Sequence, residues 1–310
     1  MRDGRGVEKG EDTTPNLKFF FKLLGRRFWK LVSINLLLLI QIAPLFLCIL
    51  AEMAGPKEPV QHELLYATVL GSQVASPSSG GMTLLNMVGN LSFDWPTFNS
   101  PVTYIMIGLM VFHVVTYGWQ KVGATYLMRN LVRGGGVFVV SDFFYAIKKN
   151  LGQGFVLGLI DCVICAVLYM DFTYFSQMPV STMSNIGYFA IVALIIIYAA
   201  MRFYMYLLLV TFNIKLSKLI KNSFIFAFLG IKRNLMAGLG ILVMAVIVVA
   251  LNLLLLQIST AAIGVGIIIP LLCFMGIMAF MYNYAAYPVI QKYMIDPPTK
   301  KEPASTQDEA

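Results

Sequence analysis

Six long apolar stretches dominate this chain, at about residues 29–51, 102–128, 154–177, 186–212, 236–258 and 261–288. A helix that crosses the hydrocarbon core of a bilayer needs roughly 20 mostly apolar residues. Each stretch meets that length, so the sequence specifies an all-α integral membrane protein. Composition agrees. Of 310 residues 58% are hydrophobic and only 12% charged, with a mean hydropathy of +0.77. Soluble domains carry about 25% charged residues. The net charge of +8 would suggest nucleic acid in a soluble protein. Here the lysines and arginines lie at the edges of the apolar runs, so anionic headgroups and orientation explain them and no nucleic-acid partner is expected.

The basic residues set the topology. Arg26, Arg27 and Lys30 precede the first run, and Arg129, Arg133, Lys148 and Lys149 lie between the second and third. Lys215, Lys218, Lys221, Lys232 and Arg233 lie between the fourth and fifth, and Lys292, Lys300 and Lys301 follow the sixth. The opposite loops hold one basic residue, Lys57. The positive-inside rule then places both termini in the cytoplasm. The expected organisation is a disordered tail over 1–15, a membrane domain over 16–295 and a second tail over 296–310. The first run lacks a small-x-small cleavage site and is expected to stay as a span. Cys48, Cys162, Cys165 and Cys273 all fall inside apolar runs, which suits buried small hydrophobes better than a disulfide framework.

A phrase repeats. Residues 147–154 read Ile-Lys-Lys-Asn-Leu-Gly-Gln-Gly, and 231–238 read Ile-Lys-Arg-Asn-Leu-Met-Ala-Gly; an apolar run follows each. A fainter version, Gly25-Arg26-Arg27-Phe28-Trp29, precedes the first run. Amphipathic segments lead into these corners. Ser141 reads as the N-cap of one, with Phe143, Phe144, Ile147 and Leu151 as its apolar stripe. In 215–224 Lys215, Lys218 and Lys221 oppose Leu216, Leu219, Ile220, Ser223 and Phe224, and residues 17–24 have the same character. Such helices lie at the headgroup boundary, with cations reaching lipid phosphates or a partner. Arg26, Arg27, Lys148, Lys149, Lys232 and Arg233 are the candidates for those contacts. The expected architecture is six transmembrane helices as three hairpins, each preceded by a cytoplasmic interfacial helix. These repeats are parallel, whereas inverted repeats are a common sign of alternating access.

Loop 52–101 is long and rich in Pro, Gly and Ser, which marks a functional or disordered segment. Asn90-Leu91-Ser92 fits a glycosylation sequon.

Three residues carry possible chemistry in the membrane interior. Asp161 sits roughly 10 Å and Arg202 roughly 15 Å from the cytoplasmic side, at 1.5 Å per residue. In an antiparallel hairpin they meet at one depth. Such charges point to function by default, against the plainer reading of a pair that locks the hairpin. His113 lies mid-span, either a relay or a helix-to-helix hydrogen bond. Cys162-Val163-Ile164-Cys165 lacks the further ligands of a zinc site, so neither metal nor cofactor is expected. Arg133-Gly134-Gly135-Gly136 lacks the Lys-Ser/Thr of a phosphate loop and reads as a flexible turn. Gly154 and Gly158 form a small-residue face for close packing, and Asn35, Gln41, Asn252, Gln257 and Asn283 suit interhelical bonds. No hydrolase, metalloprotease or intramembrane-protease motif is present, so no catalytic residue is assigned.

Several stretches resemble the YesL-type family of bacterial integral membrane proteins. They are Gly123-Ala124-Thr125, Arg129-Asn130-Leu131-Val132-Arg133, Ser141-Asp142-Phe143-Phe144 and Lys148-Lys149-Asn150, with Asn35…Pro44 and Lys221-Asn222-Ser223. The chain departs from the pattern after Pro44 and in loop 52–101. The resemblance implies a multi-pass protein of the cytoplasmic membrane in Gram-positive bacteria, associated with carbohydrate utilisation. Its implied partners are the lipid bilayer and sugar ABC transporter components. The expected function is therefore non-enzymatic assistance to, or regulation of, carbohydrate uptake. The alternative is a transporter or channel using Asp161, Arg202 and His113.

Overall fold

The computed structural model describes residues 13–54, 101–179, 181–258 and 260–296. These are helical, with no strand among them. The helices are α1 (Leu17–Ala54), α2 (Pro101–Val132), α3 (Val139–Lys149), α4 (Leu151–Gln177), α5 (Thr182–Thr211), α6 (Leu216–Leu229), α7 (Ile231–Ile258) and α8 (Thr260–Ile290). A π-helical turn, Gln291–Ile295, follows α8. Four segments are long and apolar enough to cross a membrane: Leu151–Gln177, Thr182–Thr211, Ile231–Leu255 and Pro270–Ile295. The runs expected at 29–51 and 102–128 are helical and lie within α1 and α2. Most of loop 52–101, with Lys57, His62 and the Asn90 sequon, lies outside the described residues, as do most of both tails and the side chains of Gln41, Cys48 and Gln257.

The chain divides into two units. The first holds Met1–Leu39, Trp119–Leu157 and Ile197–Ala310; the second holds Ile40–Gly118 and Gly158–Ile196.

The first unit is built around the end of α5. Residues Tyr204 to Val210 are buried without interruption. This run, Tyr-Met-Tyr-Leu-Leu-Leu-Val, has no polar face, and a helix apolar all round must be enclosed by protein or lipid. Here protein encloses it, with Val122 of α2, Ala146 of α3, Leu157 of α4, Leu219 and Phe226 of α6 and Ala286 and Ile290 of α8 in the same cluster. A second cluster joins α1 to α8 and to the α2–α3 corner. Phe20, Leu23, Leu31 and Ile34 pack with Leu127, Val137, Phe143 and Phe280. The α1 members are three or eight residues apart, which keeps them on one face of a helix.

That continuous face corrects one expectation. Residues 17–24 are not a separate interfacial helix. They run unbroken through Gly25 into the 38 residues of α1. No asparagine follows the fainter phrase to cap a break, and Asn16 starts the helix instead, its Oδ1 accepting from Phe19 N–H at 2.8 Å.

Both clear copies of the phrase do sit at a corner between two helices. In the first the break falls inside the phrase, between Lys149 and Leu151. In the second it falls just before, at Gly230. The asparagine does similar work in each. Asn150 Nδ2 donates to Ala146 O at 2.9 Å, and Asn234 Nδ2 donates to Ala227 O at 2.9 Å. Each accepting carbonyl lies in the last turn of the amphipathic helix, and Ala146 O also accepts from the Asn150 backbone N–H at 3.2 Å. Tyr204 completes the second corner. Its hydroxyl donates to Asn234 Oδ1 at 2.8 Å and occupies the space that a Cβ on Gly230 would need.

The start of α3 differs from expectation too. Ser141 is not its N-cap. The helix begins two residues earlier, and Asp142 Oδ2 accepts from Phe138 N–H at 2.9 Å. Its buried face is Phe143 and Ala146, while Phe144 and Leu151 are exposed. In α6 Leu219, Ser223, Phe226 and Ala227 are buried, and Lys215, Lys218 and Lys221 are exposed.

In the second unit α4 and α5 pair antiparallel. Phe172 meets Tyr188 at 5.6 Å between ring centroids, and Phe175 lies over Gly187. Their junction closes with reciprocal serine bonds. Ser184 N–H donates to Ser181 Oγ at 3.1 Å, and Ser181 N–H donates to Ser184 Oγ at 2.9 Å. This is a capping box with serine in place of the usual acid. The α2 and α4 backbones touch at Gly118 and Gly158, where a Cβ on Gly158 would collide with the Gly118 backbone. Gly158→Ala is therefore expected to lower stability by about 1–3 kcal/mol, the usual cost of overpacking. Gly238→Ala, with open space around it, should be neutral or gain about 0.5–1 kcal/mol. Thermal unfolding of the purified variants in detergent checks the contrast.

Candidate functional site

The polar side chains of the first unit converge on backbone groups. At the end of α2, Gly135 N–H donates to Asn130 O at 2.9 Å and Gly134 N–H to Leu131 O at 3.0 Å. With Gly134 left-handed at φ 76°, this is a Schellman cap. The glycine turn is held rather than loose. Arg27, only 2% exposed, donates through Nη2 to Gly134 O at 3.2 Å and Gly135 O at 3.1 Å. Lys30 Nζ donates to Val137 O at 3.2 Å. Arg27 thus meets the negative end of the α2 dipole, while Lys30 holds the residue that leads into α3. Arg27 Nε and Nη1 have no hydrogen-bond partner among the described residues. The sequence expects Arg27 to reach lipid or a partner; its guanidinium is instead buried against the glycine turn.

Arg129 caps another helix. Its Nη1 donates to Val210 O at 2.5 Å in the last turn of α5, and its guanidinium lies 4.8 Å from the centroid of the Tyr126 ring. Gln153, from the first copy of the phrase, donates to Ile214 O at 3.4 Å in the link between α5 and α6. The start of α1 is tied down by Tyr284, whose hydroxyl donates to Asn16 O at 2.8 Å, and by Arg233, which donates to Pro15 O at 3.2 Å.

Two asparagines clamp α8, a helix with internal prolines. Pro270 has no N–H, so the carbonyl four residues back, on Gly266, loses its helical donor. Asn252 of α7 supplies one, with Nδ2 at 3.1 Å from Gly266 O. Asn35 of α1 acts just beyond the proline. It donates to Leu271 O at 2.6 Å and accepts from Gly276 N–H at 2.8 Å. Those two backbone groups are five residues apart, one more than an α-helical bond spans. The approach needs glycine, since a Cβ on Gly276 would lie 2.7 Å from Leu31 O. Asn252 with Gly266, and Gly240 with Met281, also show that α7 and α8 pair antiparallel.

The intramembrane candidates divide between the units. Asp161 and His113 belong to the second and Arg202 to the first. Asp161 is fully buried, and its Oδ1 accepts from Cys165 Sγ at 3.6 Å. His113 is half-buried, with its ring 5.9 Å from that of Tyr117. Arg202 is half-buried. Cys162, Cys165 and Cys273 are not in disulfides. Among the described residues no group of three or more His, Cys, Asp or Glu is placed to hold a metal ion. Of the interfacial candidates, Lys148, Lys149 and Lys232 are exposed, while Arg26 and Arg233 are half-buried.

The family described as a protein of unknown function, DUF624, matches residues 94–172. That span takes in the capped end of α2, the glycine turn, α3 and the first copy of the phrase. No curated protein and no solved structure matches the chain.

Of the polar residues expected to bond between helices, Asn35 and Asn252 do so, whereas Asn283 Nδ2 donates within its own helix to Ala279 O at 2.8 Å. Sequence reasoning missed the partnership of Arg27 with the glycine turn, of Arg129 with α5, and of Tyr204 with the second corner. Each joins residues far apart in the chain, so nothing local in the sequence marks it. Asn35→Leu, which removes both hydrogen bonds of a fully buried side chain to α8, is expected to cost about 1–3 kcal/mol. Gly276→Ala should cost a similar amount. Because both break the same contact, the double variant should lose less than the sum, as read by denaturant titration in mixed micelles.

Proposed function

We propose that the chain is a six-span protein of the bacterial cytoplasmic membrane, with both termini inside. In this reading it is of YesL type and assists or regulates carbohydrate uptake by contact, without catalysing a reaction. The observation that carries the membrane reading is the segregation of charge. Every described lysine and arginine falls in the first unit and none in the second. Their clustering beside the ends of the apolar runs that the proposed topology puts inside is what the positive-inside rule expects. The accessory reading draws on the polar groups themselves. Arg27, Lys30, Arg129, Asn35, Asn150, Asn234 and Asn252 hold backbone groups at helix ends and breaks. They support a rigid scaffold. Its exposed cations on α3 and α6 remain available to a partner or to lipid. The link to sugar uptake rests on the family resemblance.

One observation favours a second reading, transport. Asp161 is an ionisable residue buried inside an apolar helix, and such groups often mark ion or substrate paths. The two readings separate on Asp161→Asn. An accessory protein keeps its function with the neutral isostere, while a transporter relying on that charge loses its flux.

Affinity capture from native membranes, combined with growth of a deletion strain on different glycans, tests the favoured reading. Sugar ABC transporter components should copurify, and growth should slow on particular glycans. Recovery of no transport component, with a growth defect that does not depend on the sugar, would contradict it.

A further inference from the structure

The exposed face of α6 is graded along its length rather than around it. Its first half presents Ser217, Lys218 and Lys221, preceded by Lys215. Its second half presents Phe224, Ile225, Phe228 and Leu229, each between 42% and 49% exposed. Phe224 and Phe228 pack on each other, 5.1 Å between ring centroids. At 100° per residue the lysines and the aromatics share one side of the helix, so rotation about the axis cannot separate them. Only a tilt can place the lysines in water and the rings in hydrocarbon. The opposite side is occupied by Leu219, Ser223, Phe226 and Ala227, which join or line the core, and so the orientation is fixed. α7, which follows, has none of its most apolar stretch buried in the protein.

Resting on the membrane reading above, we infer that α6 enters an anionic leaflet obliquely. Lys215, Lys218 and Lys221 sit at the lipid phosphates, and Phe224, Ile225, Phe228 and Leu229 reach the acyl boundary. The occupant of this face is lipid because of charge and continuity. Three exposed cations meet no exposed acid on α6, and the apolar half runs on into the exposed α7. Lys232 follows the corner, but its four-carbon stem lets the ammonium reach back to the headgroups. Arg233 is turned onto Pro15 O instead. The helix α3 carries the reverse order, with Phe138, Val140 and Phe144 exposed first and Lys148 and Lys149 exposed last. By this account the two copies of the phrase lie at different depths.

Depth-dependent quenching tests this on the full chain reconstituted in vesicles of phosphatidylcholine with or without phosphatidylglycerol. A fluorescent amino acid is placed at position 217, 228 or 246. Brominated acyl chains should quench 246 and 228, and a headgroup quencher should quench 217. Lys218→Gln with Lys221→Gln should abolish any shift at 217 caused by phosphatidylglycerol. Quenching of 228 by aqueous iodide, with 246 still quenched by lipid, overturns the oblique entry and leaves the membrane reading standing. Protection of 228 from both quenchers means that protein covers the face, and overturns it as well. A response at 217 that is the same in both lipids removes the anionic preference. If 246 is not quenched by lipid, the membrane reading itself fails.

Discussion

A backbone carbonyl or N–H that loses its helical partner away from water must find another, and much of this structure depends on how that need is met. The cost of leaving such a group bare is about 1–3 kcal/mol, and in hydrocarbon there is no water to relieve it. The chain meets the need with side chains. Asn252 answers the carbonyl that Pro270 strands on Gly266, and Asn35 bridges Leu271 O and Gly276 N. Arg129 takes Val210 O, Arg27 takes the carbonyls of the glycine turn, and Asn150 and Asn234 close α3 and α6. Each bond joins helices or corners that apolar contact alone would leave free to slide, because lipid tails are as apolar as leucine.

The repeated phrase is clearer in this light. Its lysines and arginines were the obvious feature, yet its asparagine makes the corner. The two copies are not equivalent in backbone terms, since one straddles the break and the other follows it. They agree in what the asparagine donates to, an alanine carbonyl at the end of the preceding amphipathic helix. The fainter phrase has no asparagine, and there the helix runs on. At both corners the carboxamide ties the phrase back to the helix before it.

Much of the fold was legible in the sequence because its signals are local. Apolar runs of bilayer length gave the helices, and Met178-Pro179 gave the break between α4 and α5. The helix starts were less legible. The phrase is itself helical at its second copy, so α7 begins at Ile231 rather than near 236. Ser141 looked like a cap, but the cap bond comes from the carboxylate of Asp142, one residue on. The candidate site was legible only in its residue types. Asn35, Asn252 and Asp161 stand out as polar residues in apolar runs, but their partners are backbone atoms, which leave no trace in the sequence. Arg27 was read as a lipid contact, because nothing near it in the chain says that a glycine turn more than 100 residues later will present carbonyls to it. For function the same logic holds. The proposed role by contact rests on clamped helices with exposed cations, and the alternative on buried Asp161.

The pairing of Asn252 with Pro270 offers the most direct test of this account. Asn252→Ala is measured by reversible unfolding in mixed micelles, once in the natural chain and once in a Pro270→Ala background. Alanine at 270 provides the N–H that Gly266 O lacks, so Asn252 becomes redundant there. The account predicts a loss of about 1 kcal/mol in the natural chain and less than half of that in the Pro270→Ala background. An equal loss in both would mean that Asn252 contributes through packing or its 2.8 Å bond to Val248 O and not by completing the broken helix, and would contradict the claim on which the rest depends.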